Sequence, residues 1–194
     1  MHREAEKVIE VWQTQIGGPL FNTTEIENIQ PLNDAMFDLW KQAFAGGLEE
    51  WQSRPRTMLA LMILLDQYPR TMYRNQEERQ ASDRMAIALA KKAIKFGMDM
   101  KLAPEERQFF YVPLMHSENQ VDQDHCVRLC MTREAEAGAL HHAKARRNVI
   151  RQFGRFPHRN TRLGRQCTPQ EEAYLSEGGF PAVLANISVD SGSR

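Results

Sequence analysis

The feature that most constrains this chain is MLALMILL, Met58 to Leu65, an unbroken run of eight apolar residues that leads directly into Asp66-Gln67-Tyr68-Pro69-Arg70. Eight residues are too few for a bilayer, which needs about 20 apolar residues in a helix. The run has no polar face to offer water either, so other elements must cover it on every side. It predicts a central buried helix from about Arg56 to Gln67. Pro69 lacks an N–H and biases Tyr68 away from helical angles, so the segment ends or kinks there. An aspartate abutting such a run must cap, face solvent or pair with a cation, and Arg70 and Arg74 are the nearby cations.

The remaining chain reads as helices that would surround this one. Val8, Val11, Trp12 and Ile16 recur at helical spacing over Glu4 to Ile16, and Gly17-Gly18-Pro19 stops that helix. Residues 19 to 30 show no clear period. Leu32, Met36, Leu39, Trp40 and Ala43 form the next stripe, after Pro31 and before Gly46-Gly47, and Trp51 is read as a core plug. Glu77 to Phe96 is expected to turn Ala81, Met85, Ala88, Leu89 and Phe96 inward. Pro104, Glu105 and Glu106 start a further helix, which Pro113 kinks or restarts. From Leu114 to Phe153 the pattern is helical, with a break placed near Gly138, with Val121, Leu129, Leu140, Val149, Ile150 and Phe153 buried, and with HHAKARR, His141 to Arg147, as a basic surface ridge. Thr168-Pro169-Gln170-Glu171 carries a capping-box signal. The fold class is therefore all-α, a compact multi-helix bundle of antiparallel helical hairpins. Residues 1 to 185 are expected to form a single all-helical domain, and 186 to 194 a flexible tail.

Composition limits the function classes. The chain has 25 basic and 25 acidic residues among 194, so no overall charge favours nucleic acid or a membrane surface. Cys126, Cys130 and Cys167 make no disulfide framework. Neither a secretory leader of ordinary form nor a membrane span is legible, and a cytoplasmic protein is the expectation. Charge is nevertheless concentrated locally. Between Lys144 and Arg165 there are eight basic residues and no acidic one. That run holds Phe153 and Phe156 but no recognised nucleic-acid motif, and the two rings suit a core better than a stacking platform.

Three segments are richer in mixed polar chemistry than a helical bundle needs. They are Asp66 to Arg74, Pro113 to His125, and the arginine loop Arg151 to Pro169. Together they nominate Asp66, Arg70, Arg74, Arg155, Arg159, Asn160 and Arg165 as ligand-binding groups, because guanidinium forks grip carboxylate or phosphate in bidentate fashion. His116, Glu118 and His158 are the catalytic candidates, since imidazole exchanges protons near neutral pH and a carboxylate can orient it or act itself. The same groups would equally serve as a salt-bridge network holding helices together. Glu118, Asp122 and His125 have one-face helical spacing, but such spacing recurs by chance, HExxH is absent, and no metal or other cofactor is expected. The segments are expected to converge on one cleft for a small anionic molecule. The alternative is a module that binds a protein or peptide partner, with the three motifs as framework.

LALMILLDQYPRTMYR, FFYVPLMHSENQVDQ and FGRFPHRNTRLGRQCTPQEEAYL, with GGLEEW, resemble the mostly bacterial domain-of-unknown-function family 924 across about residues 8 to 175. The resemblance implies an all-helical, tetratricopeptide-like superhelix and no particular activity. Its motifs map onto Asp66, Gln67, Pro69, Arg70 and Arg74, onto Pro113, His116, Ser117, Glu118 and Gln123, and onto Gly154, Arg155, Pro157, His158, Arg159, Asn160, Gly164 and Arg165. Thr71 stands where the family usually has asparagine, a phenylalanine is missing from Arg79-Gln80-Ala81, and the usual N-terminal tryptophan-phenylalanine segment is absent. The first wall of the cleft is thus expected to differ from the family pattern, and the His116 and His158 walls to keep it.

Overall fold

A computed structural model describes residues 2–18, 30–72, 76–133 and 137–190, and among them it is all-α, with no strand. The connection at 19 to 29, Tyr73, Arg74 and the last four residues lie outside the described residues. The chain divides into two compact units, Met1–Pro113 and Leu114–Arg194.

In the first unit α1 (His2–Gln15) packs on α2 (Gln30–Phe44) and on α3 (Pro55–Met62), and α3 also packs on α5 (Gln76–Lys95). The apolar run occupies α3 and the π-helical turn after it, Ile63–Gln67, and none of its residues is more than 2% exposed. In that turn the N–H of Tyr68 reaches back five residues to the carbonyl of Ile63, and α4 (Tyr68–Met72) continues the segment. Pro69 therefore does not stop the helix, but it cannot donate to the carbonyl of Leu65, four residues earlier. The hydroxyl of Ser82 on α5 donates to that carbonyl instead. Trp51 is fully buried in a 3₁₀ turn, Glu49–Ser53.

Two sequence expectations fail here. The buried face of α5 is Ser82, Ala86, Ala90, Ala93 and Ile94, whereas Ala88 is exposed and Phe96 is 61% exposed. Apolar residues occur on several sides of this alanine-rich helix, so periodicity left the phase open and packing chose the face with the smaller side chains. Met85, Ala88 and Leu89 instead line an open apolar groove of about 270 Å³ with Leu48, Leu61 and Leu65. α6 (Pro104–Met115) holds Pro113 inside it, so of the two outcomes expected there, a kink or a restart, the restart does not occur. Secondly, the pattern read from Leu114 to Phe153 has a further break at 116 to 119, ahead of α7 (Gln120–Thr132), while the boundary expected near Gly138 is met, since α8 (Ala137–Phe153) begins beside it.

In the second unit α7 packs along α8, and α8 also meets α10 (Gly179–Asp190), which reaches past Asn186, where a tail was expected to begin. Two 3₁₀ turns, Pro157–Arg159 and Thr161–Leu163, lead from α8 towards α9 (Pro169–Ser176). Thr168 caps α9 as expected: its side chain accepts from the N–H of Glu171 at 3.2 Å, and the Glu171 carboxylate accepts from the N–H of Thr168 at 2.7 Å. Val149, Ile150, Phe156 and Tyr174 form a buried apolar cluster, with Phe153, Phe180 and Val183 packed against it. Val121 was expected in the core but is 74% exposed, because it sits in the first turn of α7 opposite buried Asp122 and Gln123. The expected surface ridge is also corrected. Arg146 is only 4% exposed, its guanidinium lying 4.7 Å from the ring of Phe180 on α10 and 5.7 Å from that of Phe156.

Candidate functional site

The corner between α6 and α7 is shaped by its own polar side chains. α6 ends with carbonyls that have no donor in the helix. The amide of Gln123 donates to three of this corner's carbonyls, those of Leu114 at 3.2 Å, Met115 at 2.9 Å and Ser117 at 2.7 Å. Ser117 Oγ donates to Asp122 at 2.7 Å, and Asn119 Oδ1 caps α7 by accepting from the N–H of Val121 at 2.8 Å. Four residues of one motif are therefore used to fold a tight corner, and their tightness aims His116 and Glu118 at the arginine loop.

Glu118 receives that loop at three points. Arg165 donates to it through both terminal nitrogens, at 2.7 and 3.0 Å, and the backbone N–H of Phe156 adds a bond at 3.0 Å. Burial alone would raise the carboxyl pKa, but Arg165, the Phe156 N–H and the charge of Arg159 outweigh it and hold it below the usual carboxylate value. Arg159, itself buried, donates to the carbonyl of His116 at 3.0 Å and packs over the ring of Phe156, with its guanidinium 4.6 Å away. Nearer α9, Arg155 clasps Glu171 through two bonds of 2.6 and 2.8 Å. That contact first, and the Thr168 N–H after the opposing effect of burial, bring Glu171 down to about 2. Asn160 is fully buried and donates to the sulfur of Cys167 at 3.4 Å. Gly164 turns the loop with φ +64°, where a side chain would be strained.

His158 is the exposed member of this group. Its pKa is pushed down to about 3 by desolvation first, then by the charges of Arg159, Arg146 and Arg162, with Glu118 opposing. As a residue His158 is more than a third exposed, so solvent screens the effect of these charges. The imidazole is thus neutral at neutral pH in a cationic surround.

The sequence-derived residues fall into two groups. His116, Glu118, Arg155, His158, Arg159, Asn160 and Arg165 all belong to the second unit, where direct bonds join the corner to the loop. Asp66 and Arg70 belong to the first. There Arg70, 2% exposed, donates to Asp66 at 2.8 Å and to Asp83 at 2.5 Å. Gln67 also donates to Asp66. At Tyr68-Pro69-Arg70 and at Phe156-Pro157-His158-Arg159, two corners of aromatic, proline and basic residues, both arginines turn inward. Arg74 lies outside the described residues. Glu118, Asp122 and His125 form no metal-holding cluster, and none occurs among the described residues. Sequence reasoning missed the burial of Arg146, and it read Glu171 only as a capping residue and not as the partner of Arg155. Arg146 is in helical phase with buried Ala139, Ala143 and Ile150, so its burial was signalled by spacing that its charge obscured.

The sequence matches the bacterial proteins of unknown function grouped as DUF924 over residues 19–179. The chain belongs to this family. A solved structure of similar fold, described as a protein of unknown function, ATU0120, from Agrobacterium tumefaciens, is 32% identical with a TM-score of 0.82, and the match covers 91% of this chain and 98% of that one. Among curated proteins none matches. The DUF924 match includes the α6–α7 corner, the arginine loop and the start of α9, and it stops where α10 begins. No described helix is long and apolar enough to cross a membrane.

Proposed function

We propose that the second unit binds a small anion, a carboxylate or a phosphate, beside the exposed ring of His158. The supporting observation is the distribution of charge. Arg151 is engaged by Asp124 at 3.0 Å, Arg155 by Glu171 and Arg165 by Glu118, so these arginines shape the loop. Arg146, Arg159 and Arg162 act together on His158, and the carboxylate that opposes them is already clasped by Arg165. A local cationic excess around an accessible, neutral imidazole suits an anion that accepts from guanidinium and imidazole N–H groups. Binding fits better than proton transfer: Glu118 is held ionised and His158 neutral, so neither is poised as an acid at neutral pH.

The test is an NMR titration of the His158 ring with inorganic phosphate and with acetate. A bound anion adds negative charge beside the ring, so the His158 pKa is expected to rise from about 3 towards its ordinary value, and Arg162→Gln is expected to weaken both binding and the rise. Ring resonances indifferent to both anions would refute the reading.

A further inference from the structure

From Arg84 to Lys101, along the outer face of α5 and the turn after it, the chain carries five basic residues, Arg84, Lys91, Lys92, Lys95 and Lys101, and all five are exposed. The same stretch holds one acidic residue, Asp99, which is fully buried and accepts from the hydroxyl of Tyr111 at 2.7 Å. No carboxylate of this stretch therefore reaches the surface beside the lysines. Lys92 donates to Gln52 at 2.9 Å, and a neutral amide does not cancel its charge. Glu6 and Glu106, which share a surface cavity with Lys101, are both engaged by Arg56.

Large apolar side chains stand among these cations. Phe96 is 61% exposed, the most exposed aromatic residue among those described, and Met100 is 48% exposed. Both face out for a local reason. Gly97 ends α5 with φ +63°, and its N–H and that of Met98 bond back to the carbonyls of Ile94 and Ala93. In the 3₁₀ turn that follows, Asp99–Lys101, the bond from Tyr111 holds Asp99 inward, and its neighbours Met100 and Lys101 are turned to solvent. The helix dipole suits lysines in the last turn of α5, but it gives no reason for a phenylalanine in water at the helix end. One turn before the lysines the same helix opens the apolar groove with Met85, Ala88 and Leu89, in whose lining Glu49 is the one charged residue.

Exposed apolar side chains set among cations complement a surface that is apolar just beneath a layer of negative charge. A nucleic-acid duplex supplies the negative charge without an apolar layer under it, and leaves Phe96 and Met100 in water. We propose that the end of α5 and the turn after it form a peripheral docking surface for an anionic lipid bilayer. Phe96 and Met100 enter the boundary between headgroups and acyl chains, and Lys91, Lys92, Lys95 and Lys101 meet the headgroup phosphates. Lysine suits that depth, because its methylenes lie along apolar surface while its amine stays at the phosphate level.

Cosedimentation of the full chain with vesicles tests this at about 0.1 M salt, where charges are screened beyond about 10 Å. Vesicles of phosphatidylglycerol and phosphatidylcholine in equal parts are expected to capture the protein at least about tenfold more strongly than phosphatidylcholine alone. Lys95→Gln with Lys101→Gln should weaken capture about tenfold or more, since each lysine near an anionic surface contributes roughly fivefold. Phe96→Ser leaves every charge in place and should weaken capture about tenfold, through the apolar burial it removes. Both changes fall on exposed side chains, so the far-UV circular dichroism of the parent is expected in each. Equal capture by the two vesicle types, capture by neither, or capture that either variant leaves unchanged overturns the proposal. Retention of a DNA duplex without capture by anionic vesicles assigns the patch to nucleic acid and overturns it likewise. None of these outcomes bears on the anion reading of the second unit, because the patch belongs to the first.

Discussion

At the scale of the residue, the most consequential group is Arg70. A guanidinium at 2% exposure is costly unless paired, and two carboxylates pair it. Burial would lower its pKa, but Asp66 and Asp83 together raise it, so the cation is secure at any accessible pH. Asp66 sits in the π-helical turn and Asp83 comes directly after Ser82, whose hydroxyl completes the Leu65 carbonyl, so one exchange of bonds ties α5 to the central segment twice. Arg70→Met should leave two carboxylates facing one another and cost about 3–5 kcal/mol in chemical denaturation. Asp66→Asn should cost markedly less, because Asp83 still neutralises Arg70. Equal losses in the two variants would show that Asp83 contributes little.

At the scale of the element, α5 shows how an amphipathic reading can be right in kind and wrong in phase. Its existence is dictated by an alanine-rich stretch ending at Gly97, which turns the chain with φ +63°. Its orientation was decided by how closely it approaches α3 and the π-turn, where alanine and serine fit. Ala86→Asp, which buries a charge on that face, should cost on the order of 4 kcal/mol. Ala88→Asp, two residues on and exposed, should stay within about 1 kcal/mol of the parent in the same urea titration. The reverse order of stabilities would contradict the observed phase. α8 repeats the lesson with Arg146, a charged residue whose phase places it under α10.

For the molecule as a whole, acid should act on the second unit in stages. His142 and His158 have pKa values lowered from 6.5, to about 4 and about 3. A base depressed on folding contributes stability that is complete above its unfolded value and is lost as pH falls towards the folded one. Glu118 and Glu171 are also depressed, from 4.5, and their contribution likewise fades as pH falls below that value. Stability should therefore decline in two stages, beginning near pH 6.5 and again near 4.5. His142→Gln with His158→Gln should flatten the first stage and leave the second, as followed by thermal melts across pH. A first stage that persists in the double variant would assign it to other groups.

The sequence by itself determined that this chain is helical, that Met58–Leu65 lies at the centre of the first unit, that Thr168 and Glu171 cap α9, and that the family motifs concentrate its polar chemistry. These rest on local rules: hydrophobic spacing, the missing proline N–H and a side chain three residues from its backbone partner. Which carboxylate neutralises which arginine depended on pairs such as Glu118 and Arg165, 47 residues apart in the chain. The tight corner at 116 to 119, the inward turn of Arg146 and Arg159, and the seating of α10 were likewise decided only by tertiary structure. Charge pairing acts through space, and nothing in the order of residues ranks one guanidinium above another until folding brings a carbonyl, a ring or a carboxylate within reach.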